Sequence, residues 1–271
     1  LACAGRSLHG AAIEHDAVSA WVDPVLRADD QGQVRVETPA ASCLQLANSE
    51  TGVVQDIPAG LALSDLTQAF GKVPFGFDWL VIEMGLISAH KLGGPKGIGA
   101  LVLRQGLDVQ AQVRGGGQEM GRRSGTENVI GIAGFGAAAE AAQRDVADGK
   151  WDRVEKLRNI LENALAAASK TTIFVGKGAR RLPNTSCFIT PGWKGETQVM
   201  QMDLAGFAIS AGSACSSGKV KESRVLRSMG FGDGAGHAVR VSLGLETTDD
   251  EVLRFAEAWT QKLKKHEARA A

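Results

Sequence analysis

No CxxC pair occurs among the chain's four cysteines, Cys3, Cys43, Cys187 and Cys215, which stand far apart in sequence. That argues against a structural zinc site and a thioredoxin-type dithiol, and no metal is expected. There is no charge imbalance either: 30 basic residues meet 30 acidic ones. Nothing therefore suggests bulk attraction to nucleic acid or to an anionic membrane. No stretch approaches about 18 uninterrupted apolar residues, so a membrane span is not expected. No basic-then-apolar signal segment is visible, and the reading is a reducing, cytoplasmic setting with free thiols. Since Leu1 is not a methionine, the chain is expected to lack at least its start.

The sequence does hold an ordinary apolar share of 44% and rather many glycines, 34 in all, enough for one large domain or two smaller ones. "WLVIEMGLIS" (79–88) is a short apolar run that predicts a buried strand, delivering Ser88, His90 and Lys91 at its carboxyl end. "GIGALVLR" (97–104) predicts the next strand. The Ala-rich segment 128–150 has helical spacing, and the segment after it puts Val154, Leu157, Leu161 and Leu165 on one helical face. Strands are expected within "TTIFVG", "FAISAGSAC" and "AVRVSLG". A closing helix follows Thr247–Thr248, with acids in its first turn and lysines in its last. Strands alternating with helices mean an α/β architecture. The charged "RDVADGKWDR" is the candidate boundary between domains 1–146 and 147–271.

Most lysines are solvated surface amines, but Lys91 follows a buried strand, where α/β proteins build their sites. A desolvated amine there can form a Schiff base. Ser88 and His90 beside it can donate to a phosphate. Together these suggest a pyridoxal phosphate (PLP) site, in which an acid such as Asp65 in "LSDLTQ" would keep the ring nitrogen protonated; a helix-cap role for Asp65 is the competing account. His15 in "EHDAV" could stack on a cofactor ring and shuttle protons, or be structural. Cys215 sits among small residues before Lys219, Lys221 and Arg224, surroundings that favour a reactive thiolate over an inert exposed thiol. Cys187 reads as a small core residue. Arg240 interrupts an apolar strand and needs an anionic partner, either a substrate carboxylate or a structural acid. "GGGQEMGRRSGTENV" could form an anion-binding nest. It lacks the P-loop form and is a poor dinucleotide fingerprint, so ATP binding is disfavoured.

Taken together, "EHDAV", "ANSETGVVQDI", "SAHKLGGPKGIGAL", "GGGQEMGRRSGTENVIGI", "LPNTSC", "SAGSACSSG" and "VRVSLGLETTDDEV" resemble the cysteine desulfurases of the class V aminotransferase family. The resemblance implies PLP-dependent transferase fold type I: a large, mainly parallel-sheet domain plus a smaller α+β carboxyl-terminal domain. It implies Lys91 as the Schiff-base lysine and Cys215 as the persulfide-forming nucleophile. Asp65 would partner the pyridine nitrogen, Gln68 the ring hydroxyl, and His15 would stack and transfer protons. Ser88 and His90 would hold the phosphate, joined by Thr126 from the other subunit of a homodimer. Asn48 would contact the cofactor, and Arg240 would clamp the substrate carboxylate. The implied reaction takes L-cysteine to L-alanine and passes sulfur to an acceptor protein such as an Fe–S scaffold. A selenocysteine lyase, another PLP-dependent C–S lyase, or a cofactor-free binding homologue are the alternatives. The chain departs from the family in lacking its amino-terminal region, in reading Asn48-Ser49-Glu50 where two asparagines are usual, and in a short link from Glu50 to Asp65.

Overall fold

The computed structural model describes residues 7–212 and 222–270. It divides into two compact units. One comprises residues up to 28, 34–48 and 54–148; the other comprises 29–33, 49–53 and 149 onward.

The first unit is built on parallel pairing. Strand β1 (Leu8–Ala11) precedes a one-turn helix α1 (Asp16–Ser19) and pairs in parallel with β2 (Val22–Leu26). Strand β3 (Leu63–Asp65) pairs in parallel with β4 (Met84–Ser88), which pairs antiparallel with β5 (Gly99–Leu103). Residues 42–46 join these two groups. Parallel bridges link His9 to Ser42 and Cys43 to Leu63, and the Leu44 and Leu46 amides donate to Leu63 and Asp65. The order is therefore β2, β1, 42–46, β3, β4, β5. Leu8, Val18, Cys43, Ala62, Leu63 and Met84 form a buried cluster within this unit.

Only part of the apolar run 79–88 is a strand. Its start belongs to a short helix α2 (Phe77–Leu80), Val81 turns through the left-handed region at φ 51°, and Trp79 is 82% exposed. A short apolar run satisfies helix and strand alike, and here the chain changes direction inside it. The unit ends with helix α3 (Val129–Ala147), whose Asn128 side chain caps the Gly131 amide.

The second unit opens with helix α4 (Lys150–Ala168), and Val154, Leu157, Leu161 and Leu165 are its buried face. Four antiparallel strands follow in the order β6 (Ile173–Phe174), β7 (Thr185–Ile189), β9 (Ala238–Ser242), β8 (Ser210–Ala211). Helices α5 (Gly195–Asp203), α6 (Arg224–Ser228) and α7 (Asp249–Ala270) complete it. Thr248 opens α7 with a capping box: the Glu251 amide donates to its hydroxyl, and its own amide donates to the Glu251 carboxylate. The core packs α4 and α7 on the sheet, with Trp259 meeting Phe188 edge-on at 5.7 Å between ring centroids. Among the described residues no helix is long and apolar enough to cross a membrane.

Candidate active site

In the first unit, the parallel pairing of β3 and β4 sets Asp65 opposite Leu86, two residues before the end of β4. Asp65 and the turn Ala89–Lys91 therefore stand at adjacent carboxyl strand ends, where open α/β sheets bind ligands. After β3, the Asp65 Oδ1 accepts the Thr67 amide at 2.9 Å, which turns the chain toward Gln68. After β4, residues Ala89–Lys91 form a single 3-10 turn. The Ser88 hydroxyl and His90 Nδ1 lie 2.8 Å apart. Gly94 holds that turn closed: its amide donates to the Ala89 carbonyl, and an added Cβ would lie 3.0 Å from that oxygen.

His15 is half-buried at the start of α1, where its Nδ1 accepts the Ala17 amide at 3.2 Å. A neutral ring with that acceptor carries its proton on Nε2. Two buried amide side chains fix the segment. Gln45 Nε2 and Asn48 Nδ2 both donate to the Ile13 carbonyl, and the Glu14 carboxylate accepts the Gln45 amide. Asn48 thus has a structural task alongside any cofactor contact. Thr126 is exposed, in the loop before α3.

That loop is strained. Glu119 and Met120 are both left-handed, at φ 50° and 58°, a cost of order 1–3 kcal/mol each. Its arginines are engaged locally: Arg123 with Glu119 at 3.0 Å and Arg122 with Asp108 at 2.9 Å. The Arg122 bond, then the Val109 amide, hold the Asp108 carboxyl below its ordinary range. Val113, Met120, Val129 and Ile130 are exposed along this stretch, Ile130 at 87%.

In the second unit, Arg240 lies on β9 with Cys187 of β7 and Ser210 of β8 as its cross-strand neighbours. Its guanidinium donates to the Ser49 carbonyl at 2.7 Å and the Ser210 hydroxyl at 3.3 Å. Its buried Nε has no partner among the described residues. No described carboxylate lies within ion-pair distance, so the structural acid weighed from sequence is not found there. Cys215, Lys219 and Lys221 lie outside the described residues.

The described thiols are buried and held in the protonated form. Burial, followed by the charge of Glu50, pushes Cys187 up to about 12. Burial, then Glu14 and Asp65, pushes Cys43 up further still. One group was missed in the sequence. Lys72, in "QAFGKVPF", donates to the Gln68 carbonyl at 3.1 Å and the Lys91 carbonyl at 3.3 Å. Burial first, and the Lys91 charge second, lower its pKa to about 8.

The residues of the first unit fit PLP on their chemistry. A carboxylate ends one strand, a hydroxyl and an imidazole end the next, and Lys91 has no described carboxylate within ion-pair distance to hold its amine. No cluster of metal-ligating residues occurs among the described residues.

The chain matches known proteins over most of its length. The model of the aminotransferase class-V family matches residues 25–255. The chain is 38% identical to a cysteine desulfurase of Cereibacter sphaeroides, across 93% of this chain and 71% of that protein. It is 35% identical to the cysteine desulfurase NifS of Azotobacter vinelandii, across 89% and 67%. Its fold is similar to that of a NifS-like protein from Rickettsia africae, with a TM-score of 0.83 and 29% identity over 94% of this chain and 75% of that one. Matched by the family model over residues 25–255 and 38% identical to a relative across 93% of its length, this chain belongs to the class-V aminotransferase family.

Proposed function

We propose that the chain is a PLP-dependent cysteine desulfurase that takes sulfur from L-cysteine onto Cys215. The observation that carries this reading is the pairing of β3 with β4, which sets Asp65 and the Ser88–His90–Lys91 turn at neighbouring strand ends. The cysteine desulfurases among its relatives support the choice of substrate.

When bound, PLP supplies an aldehyde for the Lys91 amine and an electron sink for the substrate carbon. Asp65 would hold the proton on the ring nitrogen, Gln68 would donate to the ring hydroxyl, and Ser88 and His90 would donate to the phosphate. Asn48 contacts the cofactor. Arg240 binds the substrate carboxylate, the anion its guanidinium lacks among the described residues. Lys91 Nζ would take the substrate Cα proton, and His15 Nε2 would carry protons to and from the substrate. The Cys215 thiolate attacks the substrate sulfur. An S–S bond forms as the C–S bond breaks, Cys215 keeps the persulfide, and the carbon skeleton leaves as alanine after protonation.

The persulfide passes to an acceptor protein, such as an Fe–S scaffold, in a reducing cytoplasm; the free, buried Cys43 and Cys187 fit that compartment. A homodimer completes the site through Thr126, and the exposed Val113, Met120, Val129 and Ile130 give the adjoining stretch an apolar surface to bury. Mass spectrometry after incubation with L-cysteine tests the reading: one added sulfur is expected on Cys215, and none in Cys215→Ala, which also loses turnover. A selenocysteine lyase or other C–S lyase keeps its turnover in Cys215→Ala. A cofactor-free homologue shows no visible-edge absorbance, and borohydride fixes nothing to Lys91.

A further inference from the structure

We propose that Lys72 is a positioning residue that ties the Gln68 turn to the Lys91 turn and so sets where Lys91 stands relative to Asp65 and Gln68. The inference rests on the PLP reading above.

The geometry is specific. Lys72 leaves a tight turn in which the Phe70 amide donates to Leu66 and the Lys72 amide to Ala69. Gly71 takes φ 74°, and a Cβ there would come within 2.6 Å of the Ala142 side chain of α3. The turn therefore passes close against α3, where only glycine fits. The ammonium then meets two carbonyls: Gln68, four residues earlier, and Lys91, across the strand ends. Nothing else among the described residues competes for it, since no carboxylate lies within ion-pair distance. Holding a cation against two neutral carbonyls and another lysine is an expensive way to fill space, and methionine would fill it without the charge. What the amine adds is a charge-assisted link between the two loops. A Schiff-base lysine must be held to a fraction of an ångström, because its backbone is the only anchor its side chain has while the amine is engaged.

Lys72→Met and Lys72→Arg, compared with the parent holoenzyme, test this. Two readouts matter: the rate at which PLP escapes into a trap, and hydrogen exchange of segments 66–73 and 89–94. The Met variant should release PLP about tenfold faster, the scale of one charge-assisted hydrogen bond. It should also exchange faster in both segments, and Arg should restore both properties. Unchanged release and exchange in a folded Met variant overturn the proposal, as does exchange that rises in segment 66–73 alone. If Met does not fold, an Arg variant that loses PLP faster than the parent overturns it, and one that retains PLP supports it. A parent that takes up no PLP overturns the cofactor reading instead; exchange in the two segments then still decides whether Lys72 joins them.

Discussion

Lys72 also makes a prediction through its titration. In the unfolded chain it holds a proton up to its ordinary value of 10.5, but in the fold only to about 8. Between those values the unfolded state binds more protons, so this group makes stability climb with pH; below 8 and above 10.5 it contributes no slope. The climb amounts to about 3 kcal/mol at most, and less once solvent screening is counted. Cys43 and Cys187, with thiols pushed up by burial, work in the opposite direction, since they stay protonated in the fold where the unfolded chain ionises. They do so equally in parent and variant. The difference in urea stability between parent and Lys72→Met should therefore grow in the parent's favour from pH 8 to pH 10.5. A flat difference would show that Lys72 is ordinarily solvated. The same residue marks the limit of legibility at this scale. The placement of Ser88, His90 and Lys91 at the end of β4 could be read because it is local, set by the apolar run just before them. Lys72 could not, because its partners are backbone carbonyls, one of them 19 residues away, that only folding brings to it.

Among the elements, α4 was legible and the run 79–88 was not, for one reason. Val154, Leu157, Leu161 and Leu165 repeat over three turns, which only a helix satisfies, whereas a ten-residue apolar run has no period to betray a turn inside it. Equally hidden was the buried ion pair beneath α4. Arg181 donates twice to Glu162, at 2.6 and 2.9 Å, and Ser186 of β7 adds a third bond at 2.8 Å. Burial alone would raise the Glu162 carboxyl, but the Arg181 bonds and charge, with the Ser186 hydroxyl, hold it below its ordinary range. Glu162→Gln leaves the Arg181 charge buried without its counter-ion and should cost about 3–5 kcal/mol in urea unfolding. Replacing both, as Glu162→Leu with Arg181→Met, should recover most of that loss, because apolar groups of similar size need no desolvation. If the single change costs under about 1 kcal/mol, water reaches the pair and the network is not structural.

At the scale of the whole molecule, the chain's balanced charge says nothing about self-association, and the argument rests on one loop. Glu119 and Met120 hold left-handed conformations, and Met120 is 83% exposed. Two strained residues presenting an apolar side chain to water are costly in an isolated chain, and a subunit contact would offset both costs. Thr126 lies six residues further on, and the family resemblance implies that it serves the cofactor of a second subunit. An isologous dimer makes this testable without a structure of the pair. A Lys91→Ala chain has no Schiff-base lysine but an intact Thr126; a Thr126→Ala chain has the reverse. If Thr126 serves the neighbouring site, a mixed dimer pairs the intact Lys91 of one chain with the intact Thr126 of the other and rebuilds one complete site. With random exchange half of the dimers are mixed, each with one working site of two, so desulfuration should recover to about a quarter of the parent rate. If Thr126 serves its own chain's site, no mixture rebuilds a complete one, and the rate stays at the average of the two variants. Sedimentation of the mixture at the same concentration distinguishes that outcome from a failure to exchange, because chains of different tagged mass then reveal whether mixed dimers formed.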